Sequence, residues 1–166
     1  MTSDIAIRRL LAADAEGYRS IRLAALADAP EAFGSDVATE SASPVDAFAN
    51  TLRSGYVAGA FAGERLVAIA GFRALEREKT RHRGDIWGVY VTPDARGTGI
   101  GRRLMEHVLD YARTQVLQVH LAVTASNAAA VALYEHLGFI RYGTEPRALK
   151  VNGRYLDEHL MVLQFS

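Results

Sequence analysis

Arg96, Arg102 and Arg103 bracket a run of alternating glycines, Gly97, Gly99 and Gly101, and that combination of flexible backbone and fixed positive charge suits an anion. Glycines at these positions let the chain turn with its N–H groups pointing inward. The preceding stretch, Asp85–Val91, is β-branched and aromatic and is broken by Pro93-Asp94. The following stretch opens a basic amphipathic helix whose positive dipole end faces the same spot. A diphosphate therefore fits better than a neutral ligand. The spacing excludes two commoner phosphate loops. A dinucleotide fingerprint needs G-x-G-x-x-G, but Arg102 and Leu104 occupy the third-glycine positions, and no Gly-Lys-Ser/Thr triphosphate loop occurs. A second pair with chemical spacing is Asn127 and Tyr134, which fall on nearly one face of a helix about 10.5 Å apart along its axis.

Elements that position these residues follow from hydrophobic periodicity. Ile5–Leu10 reads as a strand and Asp14–Leu26 as a helix, with Tyr18, Ile21, Arg22 and Ala25 at helical intervals. Residues 30–44 lack periodicity and read as a loop, followed by a short helix near Val45–Arg53. Tyr56–Ala62 and Arg65–Leu75 form a hairpin across Gly63-Glu64, and the charged run Glu76–Arg83 is a solvated loop. Helix Gly99–Thr114, strand Gln118–Val123 and helix Asn127–Leu137 come next, the last bracketed by an Asn cap and Gly138. Phe139–Lys150 and Arg154–Phe165 close the chain as a hairpin through Asn152-Gly153. This order predicts an α/β fold with a mixed, mostly antiparallel sheet and helices on both faces. Only the strands around residues 84–124 must run parallel, because only they are joined by a crossover helix.

A chain of 166 residues with 49% apolar content suits one domain, residues 1–166. Lys plus Arg and Asp plus Glu number 19 each, so charge balance points to neither nucleic acid nor a membrane surface. The absence of cysteine removes disulfides, thiolate metal sites and cysteine nucleophiles. The scattered histidines lack metal-ligand spacing, so no metal is expected. The first residues, with Asp4, Arg8 and Arg9, resemble neither a signal peptide nor a membrane span, which makes the cytoplasm the expected address.

Read as Arg/Gln-x-x-Gly-x-Gly/Ala, the segment Arg96-Gly97-Thr98-Gly99-Ile100-Gly101 closely resembles the GNAT superfamily of acyl-CoA-dependent N-acetyltransferases. The resemblance continues through Asn127–Phe139 and the Asn152–Asp157 hairpin, and covers roughly the C-terminal half. It implies a GNAT-like fold in which the two central parallel strands splay and the pantetheine arm of acetyl-CoA enters the gap as though it were a strand. Val89, Tyr90 and Val91 would then offer it free backbone groups, Arg96, Gly97, Thr98, Gly99, Ile100, Gly101 and Arg102 would cradle its pyrophosphate, and Asn127 and Tyr134 would reach its amide and sulfur. Gly88 marks either a bulge in the strand or room for Trp87. Family habit also implies a homodimer.

The reaction implied is attack of a primary amine, on a small molecule or peptide, directly on the acetyl thioester through a tetrahedral intermediate. An amine with a pKa of about 10.4 must lose a proton first. Asp85 stands where many GNAT enzymes carry a carboxylate, and either serves as that base or pairs with Arg81 or Arg83; Glu76 and His82 are the alternatives. The Val89 N–H is the expected donor to the oxyanion. Tyr134, as a phenol, is the expected proton donor to the departing thiolate, or else a core aromatic beside Leu133 and Leu137. Tyr155 and Asp157 belong either to the site mouth or to cross-strand packing. Glu31, Phe33, Asp36 and Glu40 line the acceptor side or are ordinary surface. The alternative class is a non-catalytic acyl-CoA-binding or sensor domain.

Overall fold

The computed structural model describes residues 4–166. Seven strands share one sheet in the order β1-β2-β3-β4-β5-β7-β6. They are β1 (Ile5–Arg9), β2 (Tyr56–Ala62), β3 (Arg65–Ala74), β4 (Arg83–Val91), β5 (Gln118–Thr124), β6 (Ile140–Val151) and β7 (Arg154–Gln164). Five α-helices accompany them: α1 (Ala15–Asp28), α2 (Val37–Ser41), α3 (Val45–Ser54), α4 (Ile100–Arg113) and α5 (Ala128–His136). Every strand pair is antiparallel except β4–β5, the pair joined by the crossover through α4. Asn152 and Gly153, at φ 51° and 75°, make the tight turn between β6 and β7.

Two apolar layers sandwich the sheet. On one face Leu104, Met105 and Val108 of α4 pack with Ala58, Ala70 and Ile86, and Tyr134 and Phe139 extend this layer. On the other, Tyr18, Ile21 and Ala25 of α1 and Phe48 and Leu52 of α3 cover Val57, Ile69 and Tyr90. Alternation along the strands explains the division, since successive side chains point to opposite faces. The helices differ from expectation mainly at residues 30–44, where α2 and a 3-10 turn at Pro30–Ala32 replace a loop. A five-residue helix is too short to show periodicity; it is held by Asp36, whose carboxylate accepts from the Thr39 N–H at 2.8 Å.

The sheet is interrupted at its centre. β4 pairs with β5 only where Arg83, Gly84 and Asp85 meet Gln118, Val119 and His120. Beyond that point the two strands part. Along the other edge of β4, Ile69 of β3 faces Tyr90 while Gly71 faces Trp87, so β4 carries one extra residue between these rungs. Gly88 supplies the bulge with φ at 61°, a conformation that a side chain would strain. Gly71 has a different reason for being glycine: a Cβ there would lie 2.4 Å from the Trp87 ring, so its absence lets the indole lie flat on β3.

Candidate active site

A cleft of about 520 Å³ occupies the gap between the parted strands. Its walls are Ile86–Val91 on one side and Leu121–Thr124 on the other, with the glycine turn at one end and Asn127, Leu133 and Tyr134 of α5 beside it. Thr92 donates its N–H to Val67 on β3 at 2.9 Å, and backbone direction alternates along a strand, so the Val91 N–H faces the gap, while Val89 lies in the bulged stretch between the Trp87 and Tyr90 rungs and lines the cleft. At the turn, Gly97 and Gly99 have φ of 76° and 82°, and a Cβ at either would touch no protein atom within 4 Å. Their side-chain directions open onto free space, and Gly99 is the N-cap of α4, with Arg102 and Arg103 in its first turn. Backbone N–H groups, helix dipole and positive charge converge there, as an anion requires.

The arginines are not equally free. Arg96 donates to the Asp28 carboxylate at 2.7 Å and to the Val91 carbonyl at 3.0 Å, so its guanidinium fastens the end of β4 to the end of α1. Tyr90 donates to the same Asp28 oxygen at 2.9 Å. Hydrogen bonds from Arg96 and then Tyr90 hold the Asp28 carboxyl below the usual range. Arg102 makes only an exposed pair with Glu106, of the kind worth about 0.3–0.5 kcal/mol, and is readily redirected.

Asn127 caps α5, its side-chain oxygen accepting from the Ala130 N–H at 3.2 Å, and also lines the cleft. Tyr134 is 7% exposed and meets Phe139 edge to face, with centroids 5.8 Å apart. Burial pushes its phenol well above the ordinary range, so it stays protonated.

Of the residues singled out from sequence, Val89, Tyr90, Val91, Arg96, Gly97, Gly99, Ile100, Gly101, Arg102, Asn127 and Tyr134 all line the cleft, but Asp85 and Thr98 do not. Thr98 turns its hydroxyl back to the Ala95 carbonyl. Asp85 sits at the crotch where the strands separate, in register with His120, and its partner is Arg73 at 3.3 Å rather than Arg81 or Arg83. Burial, reinforced by Arg83 and opposed by Asp85, lowers the His120 imidazole below its usual value. Asp157 accepts from the Arg147 N–H at 2.8 Å and Tyr155 is exposed; neither lines the cleft. Phe33 does line it, whereas Glu40 is taken by Arg22 and Asp36 by the α2 cap. Sequence reasoning missed Asp28, Arg22 and Trp87. Arg22 had a signal, a charge within the apolar stripe of α1.

Residues 18–139 match the model of the acetyltransferase (GNAT) family. The chain belongs to this family. It is 39% identical to the N-alpha-acetyltransferase RimI of Mycobacterium tuberculosis over 66% of this chain and 69% of that one. It is 34% identical to an L-methionine sulfoximine/L-methionine sulfone acetyltransferase of Pseudomonas aeruginosa over 89% of this chain and 95% of that one. Among solved structures, a Salmonella typhimurium protein with its cofactor acetyl-CoA superposes with a TM-score of 0.82 at 24% identity, over 98% of this chain and 94% of that one. The fold is the GNAT fold, with its mixed sheet parted at the centre. No helix among the described residues is long and apolar enough to cross a membrane.

The open turn, the free edge of β4 and the cleft between strands fit acetyl-CoA, the co-substrate of the family. A Cβ at Gly99 meets no protein atom within 4 Å, but Gly99→Val strains the turn, at about 1–2 kcal/mol for a left-handed residue, and sets a branched side chain at the N–H cradle. Acetyl-CoA affinity is expected to fall tenfold or more, about 1.4 kcal/mol. Calorimetric titration checks it; unchanged affinity in a folded variant removes the cradle.

Proposed function

We propose that residues 1–166 form one N-acetyltransferase domain that moves the acetyl group of acetyl-CoA to a primary amine on a small molecule or peptide. The observation that carries this reading is the convergence, on one cleft, of the Val89 edge of β4, the glycine cradle and Tyr134. A non-catalytic acyl-CoA sensor would need the cradle but not a buried, protonated phenol at the far end of the same cleft.

The chemistry follows from placement. The N–H of Val89 beside the bulge polarises the thioester carbonyl and takes the charge that develops on its oxygen, which needs no reorganisation at the moment of attack. The amine nitrogen approaches from the α1 face, forms the N–C bond and passes its proton along water to Asp85 at the crotch, beside His120. As the C–S bond breaks, the thiolate takes its proton from Tyr134. A phenol normally near 10 is the weaker acid toward a thiol normally near 8.5, and burial widens the gap, so Tyr134 donates only as negative charge gathers on sulfur and recovers its proton from solvent afterwards. Asn127, about two helical turns before Tyr134 on nearly the same face, holds the pantetheine amide so that sulfur and phenol meet.

One related enzyme is named an N-alpha-acetyltransferase and the other an L-methionine sulfoximine/L-methionine sulfone acetyltransferase, and these names support an α-amine as acceptor.

Tyr134→Phe keeps the ring and its contact with Phe139 and removes only the hydroxyl. Turnover, followed as thiol release across an amine library, is expected to fall by roughly one to three orders of magnitude with Tm almost unmoved. Wild-type turnover would make Tyr134 structural. Asp85→Asn is expected to lower kcat/KM and remove the lower-pH limb of the rate profile while acetyl-CoA affinity holds, because Asp85 does not line the cleft. If Asp85 were only the partner of Arg73, losing an exposed pair would cost about 0–1 kcal/mol of stability and leave the limb in place.

A further inference from the structure

The segment from Asp28 to Phe33 crosses the gap between the parted strands and is tied to both of them. At its start the Asp28 carboxylate accepts from Arg96 and Tyr90, which fixes it to the end of β4. Three residues on, the Glu31 carbonyl accepts from the Thr124 hydroxyl at the end of β5. Thr124 is 4% exposed, so water does not compete for that hydroxyl. A strap fastened at two points therefore spans the gap on the α1 face, and its Ala29, Ala32 and Phe33 line the cleft.

Phe33 is the only aromatic residue of the strap. Its ring is buried, lies 5.1 Å from the Arg22 guanidinium carbon and meets Tyr90 at 6.3 Å between centroids. Arg22 is held in turn by the two oxygens of Glu40, at 2.9 and 3.0 Å. The ring is packed, not loose. Trp87, which precedes the bulge, and the exposed Ala122, two residues beyond the last β4–β5 rung, line the same cleft. Among the described residues, the only charged side chains that line it are Arg96 and Arg102, both at the cradle end. A charge brought between Phe33, Trp87 and Ala122 would lose water and meet no counter-ion on these walls, whereas a hydrocarbon group gains in proportion to the area it buries.

With the glycine turn taking the pyrophosphate, the acceptor must enter at the other end, where the bulge receives the thioester carbonyl. We propose that Phe33, Trp87 and Ala122 form a port for an uncharged hydrocarbon side chain on the carbon that bears the acceptor nitrogen. Phe33 sets the size of that side chain, and Thr124 is a positioning residue that holds Phe33 through the strap. The acceptors this port fits are α-amines with an apolar side chain. This assignment rests on the acetyltransferase reading.

The test uses the L-carboxamides of alanine, leucine, phenylalanine, aspartate and arginine, with thiol release from acetyl-CoA as the readout. At least one apolar amide is expected to exceed both charged ones about tenfold or more in kcat/KM. Phe33→Leu is expected to shift the preference among apolar amides about fivefold or more toward the larger. Thr124→Val keeps the shape and loses the hydroxyl; it is expected to raise the acceptor KM about fivefold with kcat and acetyl-CoA affinity held, and Thr124→Ser is expected to restore it. Trp87 is the only tryptophan, so its emission in the CoA-saturated protein reports amide binding without turnover and is expected to follow the same order. Equal treatment of apolar and charged amides, a Phe33→Leu effect uniform across the series, or a Thr124→Val loss that Thr124→Ser does not restore overturns the proposal. So does an absence of both binding and turnover; if Phe33→Leu does not fold, the Thr124 pair decides. Apolar-selective binding with no thiol release from any amine would instead overturn the acetyltransferase reading while leaving the port standing.

Discussion

The structure depends on one failure of pairing. β4 and β5 run parallel and bonded for three residues and then separate after Asp85 and His120. A strand edge inside a sheet normally carries backbone groups that must find partners, and buried ones left alone cost about as much as a lost hydrogen bond. Here the bulge at Gly88 turns the β4 edge away, and the cleft takes the place of the missing ladder. Everything else about the site is arranged along that edge: the cradle beyond its end, α5 across from it, and the α1 face beneath the bulge.

Ion pairs around the cleft position backbone more than they add stability. Arg96, read from its spacing as a phosphate ligand, ties the end of β4 to Asp28, and Tyr90 reinforces the tie. Its contribution to the cradle is to hold the glycine turn in register with the strand edge. Arg22 and Glu40 form the more buried pair, with side chains 12% and 19% exposed. Breaking such a pair by removing one partner is costly, whereas keeping it gains little over an apolar contact, so its value lies in a guanidinium held in a single orientation. The same division holds at the crotch, where the Arg73–Asp85 pair is looser and more exposed.

Features set by neighbouring residues were legible in the sequence. The glycine turn, the Asn127 cap, the Asn152-Gly153 hairpin and the parallel crossover each follow from local conformational preference, and each stands where spacing puts it. Contacts between distant segments were not legible. Asp28 lies 68 residues from Arg96, and nothing in either segment announces the partner. Asp85, read either as a base or as the partner of Arg81 or Arg83, meets Arg73 across an antiparallel rung, because register, not sequence proximity, decides which side chains touch. Thr124 and Glu31, 93 residues apart, meet only because the strap crosses the gap between the strands. Gly71, ordinary in the sequence, is explained only once the indole is seen lying on it.

The central claim is that the free edge of β4 receives acetyl-CoA as a missing strand would be received. Amide hydrogen exchange at Val89 and Val91, measured on the protein alone and saturated with acetyl-CoA, tests it most directly. Both amides are expected to slow sharply on binding, while that of Thr92, already bonded to Val67, changes little. Unchanged exchange at Val89 and Val91 in a saturated sample would contradict the account.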